Sequence, residues 1–187
     1  SLTEIEPGLF LGNWASSVDV GTLMRHGITA IVSLGHGPAA AWSGPAHRKL
    51  VPASRHLFVA CDDSATADLL GRLPAVCDFI DAQLGTDALS YADEPGRVLV
   101  HCSEGVSRSP TVVVAYLMRK HRSTVAAVLR DVRRRRRVVD PNRNFLEQLH
   151  LWEELQYDVW EDAACQVPKP LYRRFLESRA EMLTAAG

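Results

Sequence analysis

Residues 97–121 read RVLVHCSEGVSRSPTVVVAYLMRKH, and the fold depends on how that stretch divides. RVLVHC (97–102) has the apolar, β-branched run of a buried strand. SRSPTVVVAYLMRKH (107–121) is long enough for a helix, with Pro110 in its first turn, where a missing N–H costs nothing. Only a tight polar turn separates them. Strand, turn and helix in that order gather backbone N–H groups and a helix N-terminus around one point, a cradle for an anion and above all for phosphate. Gly105 lets the turn bend where a side chain would collide. The same field acts on Cys102. A free thiol titrates near about 8.5, and N–H donors at a helix N-terminus favour its thiolate strongly. Arg108, six positions on, adds a planar fork that stays charged and grips two phosphate oxygens. A thiolate beneath a phosphate held by amides and Arg is arranged for in-line attack on phosphorus.

Working outward, GLFLG (8–12), ITAIVSLG (28–35) and HLFVAC (56–61) read as further strands, the first two closed by glycine. SVDVGTLMRHG (17–27) has short helical spacing and a glycine stop. LLGRLPAVCDFIDAQLG (69–85) sets Leu73, Val76, Cys77, Ile80 and Leu84 on one helical face. STVAAVLRDVRRRR (123–136), NRNFLEQLHLWEELQYDV (142–159) and PLYRRFLESRAEML (170–183) read as helices, with QVPKP (166–170) a loop before the last. GHGPAAAWSGPAHRK (35–49) and GTDALSYADEPG (85–96) read as loops. Strands come early and alternate with helices, and helices finish the chain. The expected fold class is α/β, a short, mostly parallel central sheet flanked by helices.

The chain has 187 residues, which suits one domain, since a domain takes about 150. At 47% hydrophobic and 23% charged it is composed like an ordinary globular protein. Twenty-one basic and 22 acidic residues leave no bulk attraction for nucleic acid or membrane. No apolar run approaches the roughly 20 residues that span a bilayer. SLTEIEPGLFLG has neither the basic start nor the apolar core of a secretory leader. Cys61, Cys77, Cys102 and Cys165 include no C-x-x-C pair, poor for zinc and sparse for a disulfide scaffold. They read as reduced thiols of a cytoplasmic or nuclear protein.

HCSEGVSRS resembles the His-Cys-x-x-Gly-x-x-Arg-Ser/Thr signature of the cysteine-dependent protein tyrosine phosphatases, and its S-R-S ending resembles the dual-specificity branch. EIEPGLFLGNWAS, ITAIVSL, DFIDAQL, AYLMRKH and VVDPNRNFLEQL stand in that branch's order, so the resemblance covers most of residues 4–156. It implies a protein tyrosine phosphatase-like fold of the dual-specificity type, in a catalytic domain over 1–160. Residues 161–187 would form a helical extension, packed on that domain or leading to a further one. LWEELQYDV followed by PLYRRF is similar to a subgroup that continues into a C-terminal zinc-binding domain linked to maturation of the large ribosomal subunit. This chain has no zinc-type cysteine pairs, so it would be the catalytic part only.

The resemblance implies roles. Cys102 is the nucleophile. Arg108 and the amides of Ser103, Glu104, Gly105, Val106, Ser107 and Arg108 bind the phosphoryl oxygens. His101 holds the loop and tunes the thiolate. Ser109 donates a hydrogen bond to the departing thiolate. The leaving oxygen needs a proton, and counting back from DFID puts Asp63 of VACDDSATADLL at the general-acid position, with Asp62 the alternative. Asp68 reads as a helix cap. Asn142 of DPNRNF matches an asparagine that buttresses the phosphate loop. GTDALSYADEPG is then an inserted surface loop. No metal or other cofactor is implied, because Arg and amides do the charge work of a two-metal site.

Five arginines, Arg133 to Arg137, read as a solvated helix end that draws anionic substrate, with RNA contact the lesser reading. Cys61 and Cys77 read as strand and core cysteines, and Leu149 and Trp152 as packing. SEGVS contains no Lys, unlike lipid phosphatases of the superfamily, and Glu104 disfavours a polyanionic head group. A phosphorylated protein is the expected substrate and a monomer the expected state. The rival expectation, from a different class, is a phosphate-pocket interaction module in ribosome assembly whose catalysis is dispensable.

Overall fold

A computed structural model describes residues 1–37, 39–85 and 96–185, so the loop expected at 85–96 lies almost wholly outside the described residues. Five strands form one sheet: β1 (Leu2–Glu6), β2 (Leu9–Asn13), β3 (Ala30–Gly35), β4 (His56–Ala60) and β5 (Val98–Cys102), in the order β1-β2-β5-β3-β4. β1 pairs antiparallel with β2, and every other pairing is parallel. The sheet is therefore mixed and mostly parallel, with helices on both faces, as its near-continuous apolar strands require. β5 lies at its centre, every residue buried, and Cys102 is its last residue.

Alternation along the strands divides the core. Val98, Val100 and Cys102 join Ala30, Val32 and Leu34 on the larger face, beneath α4 (Leu73–Leu84), α5 (Arg108–His121), α6 (Val125–Arg135) and α7 (Arg143–Glu154). The five positions expected on one face of α4 are all buried there. Leu99, Ile31 and Phe10 face a smaller cluster with Leu23, Ile28, Trp42 and Val51. α5, eleven of whose residues are buried, is the central helix.

Several readings change. GHGPAAAWSGPAHRK contains a 3₁₀ turn, Ala40–Ser43, and α3 (Pro45–Leu50). Trp42 is the reason, because its ring closes the smaller core. β1 and α1 (Trp14–Val18) were not anticipated as elements. α1 has a capping box in which Asn13 accepts from Ser16 N, and α2 (Val20–Arg25) begins at a second cap, Asp19. The helix expected through residue 159 ends at Glu154, because Gln156 and Tyr157 take positive φ and swing the Tyr157 ring edge-on to Trp152. α8 (Pro170–Ala185) follows, and Tyr172 carries it into the larger core.

Candidate active site

The loop after β5 is shaped from outside. Ser103 O accepts from Trp14 N (3.0 Å), Val106 O from Asp140 N (2.8 Å), and Ser107 O from Thr111 N and Oγ1 (3.1 and 2.8 Å). Arg136 takes the two carbonyls between, donating Nη2 to Glu104 O (3.3 Å) and Nε to Gly105 O (3.2 Å). Each carbonyl turned outward turns the N–H on the same peptide inward. Gly105 N–H reaches Cys102 Sγ at 3.3 Å. Gly105 has φ +71°, and a Cβ there would stand 2.5 Å from Gly12 O, so no other residue fits.

Cys102 is 3% exposed. Burial disfavours its charged form. Hydrogen bonds from the Ser109 hydroxyl (3.2 Å) and the Ser109 and Gly105 amides, with the Arg108 charge, outweigh that and hold its pKa below the usual thiol value. By contrast, burial pushes Cys61 up to about 11 and Cys77 up to about 12, and all four cysteines are free thiols. Arg108 is buried, with Nη1 on Cys61 O (3.3 Å) and Nη2 on Ser103 Oγ (3.0 Å). Its Nε has no hydrogen-bond partner among the described residues, so N–H donors remain for an oxyanion.

Asp63 stands over this loop. Its Oδ1 accepts from Ser107 Oγ (2.8 Å) and Asn142 Nδ2 (2.7 Å), and its Oδ2 is 3.8 Å from Arg108 Nε. Asp62 points elsewhere, into an exposed contact with His36 at 2.9 Å. Asn142 also caps α7, accepting from Phe145 N (2.9 Å), and its own N–H donates to Ser107 Oγ (3.1 Å). It therefore ties the segment bearing Asp63 to the phosphate loop.

Behind the loop runs a one-way chain of hydrogen bonds. A carbonyl only accepts, so His101 Nδ1 donates to Cys102 O (3.4 Å) and His101 Nε2 must accept from Ser33 Oγ (2.6 Å). Ser33 Oγ in turn accepts from His56 Nε2 (2.8 Å), whose Nδ1 accepts from Arg48 Nη1 (3.2 Å). Burial pushes both imidazoles down to about 4, aided at His56 by the Arg48 charge, and both are neutral at pH 7. Ser33 stands directly opposite His101 in the β3–β5 register.

Sequence reasoning missed Ser33, His56 and Arg136. Ser33 left one trace, a polar residue within an otherwise apolar strand. Arg136 is the exception within the arginine run. Its four companions are exposed, whereas Arg136 is buried among loop carbonyls. The available signal was spacing, since Val128, Val132 and Arg136 are four apart and share the inward face.

A strand-end thiol, a collar of inward N–H groups and a buried guanidinium together form a pocket suited to an oxyanion. Residues 9–155 match the family described as dual specificity phosphatase, catalytic domain, and the chain belongs to that family. It is 37% identical over 146 residues to dual specificity protein phosphatase 26 of Bos taurus, a match covering 78% of this chain and 64% of that protein. It is 32% identical to dual specificity protein phosphatase MPK-4 of Drosophila melanogaster, across 89% of this chain and 39% of that one. The chain thus spans less than two thirds of the length of these relatives. Among solved structures, the Yvh1 phosphatase domain from Chaetomium thermophilum is similar at TM-score 0.73 and 30% identity, covering 84% of this chain and 99% of that one. The human tyrosine phosphatase-like serine/threonine/tyrosine-interacting protein is similar at TM-score 0.71 and 30% identity, covering 84% and 98%.

Proposed function

We propose that this chain hydrolyses phosphomonoesters of proteins, phosphotyrosine together with phosphoserine and phosphothreonine, through a phosphocysteine intermediate. The observation that carries the reading is the buried Cys102 sulfur, its pKa lowered by converging donors beside a guanidinium whose Nε makes no hydrogen bond among the described residues. The thiolate attacks phosphorus, the S–P bond forms, and the bond to the leaving oxygen breaks as that oxygen takes a proton from Asp63. The amides of residues 103–108 and Arg108 stabilise the equatorial oxygens. Water then attacks phosphorus and gives its proton to the Asp63 carboxylate. The S–P bond breaks, inorganic phosphate departs, and Ser109 donates to the returning thiolate. His101 and Asn142 act as positioning residues, the first behind the loop and the second between loop and acid.

The test is hydrolysis of an aryl phosphate by the purified chain in the presence of a chelator. Activity should persist with chelator and vanish in Cys102→Ser. Asp63→Asn should flatten the alkaline limb of the pH profile, because an acid must be protonated to act. Activity that survives in Cys102→Ser sinks the reading.

By the same reading, residues 1–160 form the catalytic unit of a monomer, residues 161–187 are its extension, and the protein works in the cytoplasm or nucleus. Among the described residues no helix is long and apolar enough to cross a membrane. The LWEELQYDV…PLYRRF segment, similar to a subgroup linked to maturation of the large ribosomal subunit through a C-terminal zinc-binding domain, supports a pre-ribosomal partner. Likeness to the human interacting protein supports the second reading, a phosphate-pocket interaction module. Under that reading Cys102→Ser leaves the cellular role intact while phosphopeptide binding persists.

A further inference from the structure

The segment that carries Asp63, residues 61–69, has no strand or helix of its own. Backbone without a ladder keeps its shape only through what grips it. On one side the grip is α7. Asn144 Nδ2 donates to Ser64 O and Ala67 O (2.9 Å each), and Gln148 donates to Ala67 O (2.8 Å) while accepting from Leu69 N and Leu70 N (2.9 and 2.7 Å).

On the other side the grip is α8, more than a hundred residues on in the chain. Arg179 donates both Nε (2.6 Å) and Nη2 to Thr66 O, and its Nη1 lies 3.9 Å from Asp68 Oδ2. The Tyr172 hydroxyl donates to the same Asp68 oxygen at 2.9 Å. Asp68 Oδ1 accepts from Gly71 N (3.1 Å) within the 3₁₀ turn Leu70–Arg72, whose capping position is Leu69 and not the expected Asp68, while its other oxygen faces α8. Gly71 makes room for this contact: a Cβ there would stand 2.0 Å from the Tyr172 hydroxyl. Tyr172 is 4% exposed, packed against Trp160 and Phe175, so its hydroxyl is held by a fixed ring.

We infer that the C-terminal helix is a latch for the general acid, with Arg179 and Tyr172 as positioning residues for Asp63 through Thr66 and Asp68. The inference rests on Asp63 being the acid. Neither residue touches the Cys102 loop by any contact described above, so releasing the latch loosens the acid and spares the nucleophile. Misplacing an acid is felt most where the leaving group is least stable as an anion.

That asymmetry is the test. Arg179→Met, which keeps the aliphatic stem, and Tyr172→Phe, which removes one oxygen, are compared with the unaltered chain on phenyl phosphate and 4-nitrophenyl phosphate. The latch predicts a kcat/KM loss on phenyl phosphate roughly tenfold greater than on the nitrophenyl ester, a share of the 10²–10⁴ that a positioned acid supplies. The rate of Cys102 alkylation by iodoacetamide should be unchanged, and adding either substitution to Asp63→Asn should cost nothing further. Equal losses on both esters, or none, overturn the latch. Asp63→Asn alone separates the two assignments. If it discriminates between the esters and the α8 variants do not, only the latch fails. If it does not discriminate, Asp63 is not the acid and the latch falls with it.

Discussion

The two segments that meet at the site are built on opposite plans. Residues 102–108 are bound at successive carbonyls, by main-chain N–H groups at Ser103, Val106 and Ser107, by the Arg136 side chain between them, and by the neighbouring side chains of His101 at Cys102 and Thr111 at Ser107. Residues 61–69 are gripped mainly by side chains from two helices distant in sequence, Asn144 and Gln148 on one, Tyr172 and Arg179 on the other. Main-chain anchoring is set by the fold and tolerates most substitutions around it. Side-chain anchoring is removable one residue at a time. The Cys102 pocket is therefore rigid wherever the sheet forms, while the placement of Asp63, the acid under the proposed mechanism, is a separate, adjustable property.

Breaking the first plan should have the largest effect. Gly105→Ala drives a methyl into Gly12 O and strains a positive φ, costing about 1–3 kcal/mol of stability and at least roughly 10²-fold in kcat as the inward N–H collar opens. Denaturant melts and steady-state rates measure both. Gln148→Leu attacks the second plan by leaving the Leu69 and Leu70 N–H groups buried without an acceptor, at about 1–3 kcal/mol. Its thermal midpoint should fall, while alkylation of Cys102 keeps its rate.

Ser109→Ala sharpens the comparison within the rigid loop. It removes one donor to the sulfur, so the pH at which alkylation reaches half its maximum should rise, by less than about one unit given about 1 kcal/mol per such bond. The smallest effect at neutral pH concerns the histidine chain, whose contribution changes only in acid. Both imidazoles have native pKa values near about 4, below the ordinary 6.5, so the unfolded chain binds more protons between those limits. Stability is thus complete above pH 6.5 and is lost as pH falls toward 4. His56→Gln should make that loss shallower in thermal melts across the window, and an unchanged slope would remove His56 from the account.

The strand, loop and helix around Cys102 were legible because their signals are local. An apolar run, a glycine and a proline lie within twenty-five residues, and the helical face of α4 was legible for the same reason. The short helices α1 and α3 and the Ala40–Ser43 turn were not, since so few residues offer little periodicity to read and Trp42 is fixed by tertiary burial. The sequence placed Asp63 at the acid position only by counting back from DFID, with Asp62 the alternative, because the contacts that distinguish the two, those of Asp63 with Ser107 and Asn142, form only once β4 and α7 are in place. The contacts of Arg179 and of Arg136 are of the same kind: identical side chains elsewhere in the run face water, and only the folded path of the chain decides which one turns inward.

The pairing of Ser33 with His101 across two parallel strands also bears on how the protein reaches its native state. Sliding β3 by a single residue would exchange Ser33 for Val32 or Leu34, leave the His101 ring facing hydrocarbon, and send each of the strand's side chains to the opposite layer. Misaligned sheets thus forfeit core packing and the polar match together. The same serine that steadies the catalytic strand serves as a proofreading mark for strand alignment.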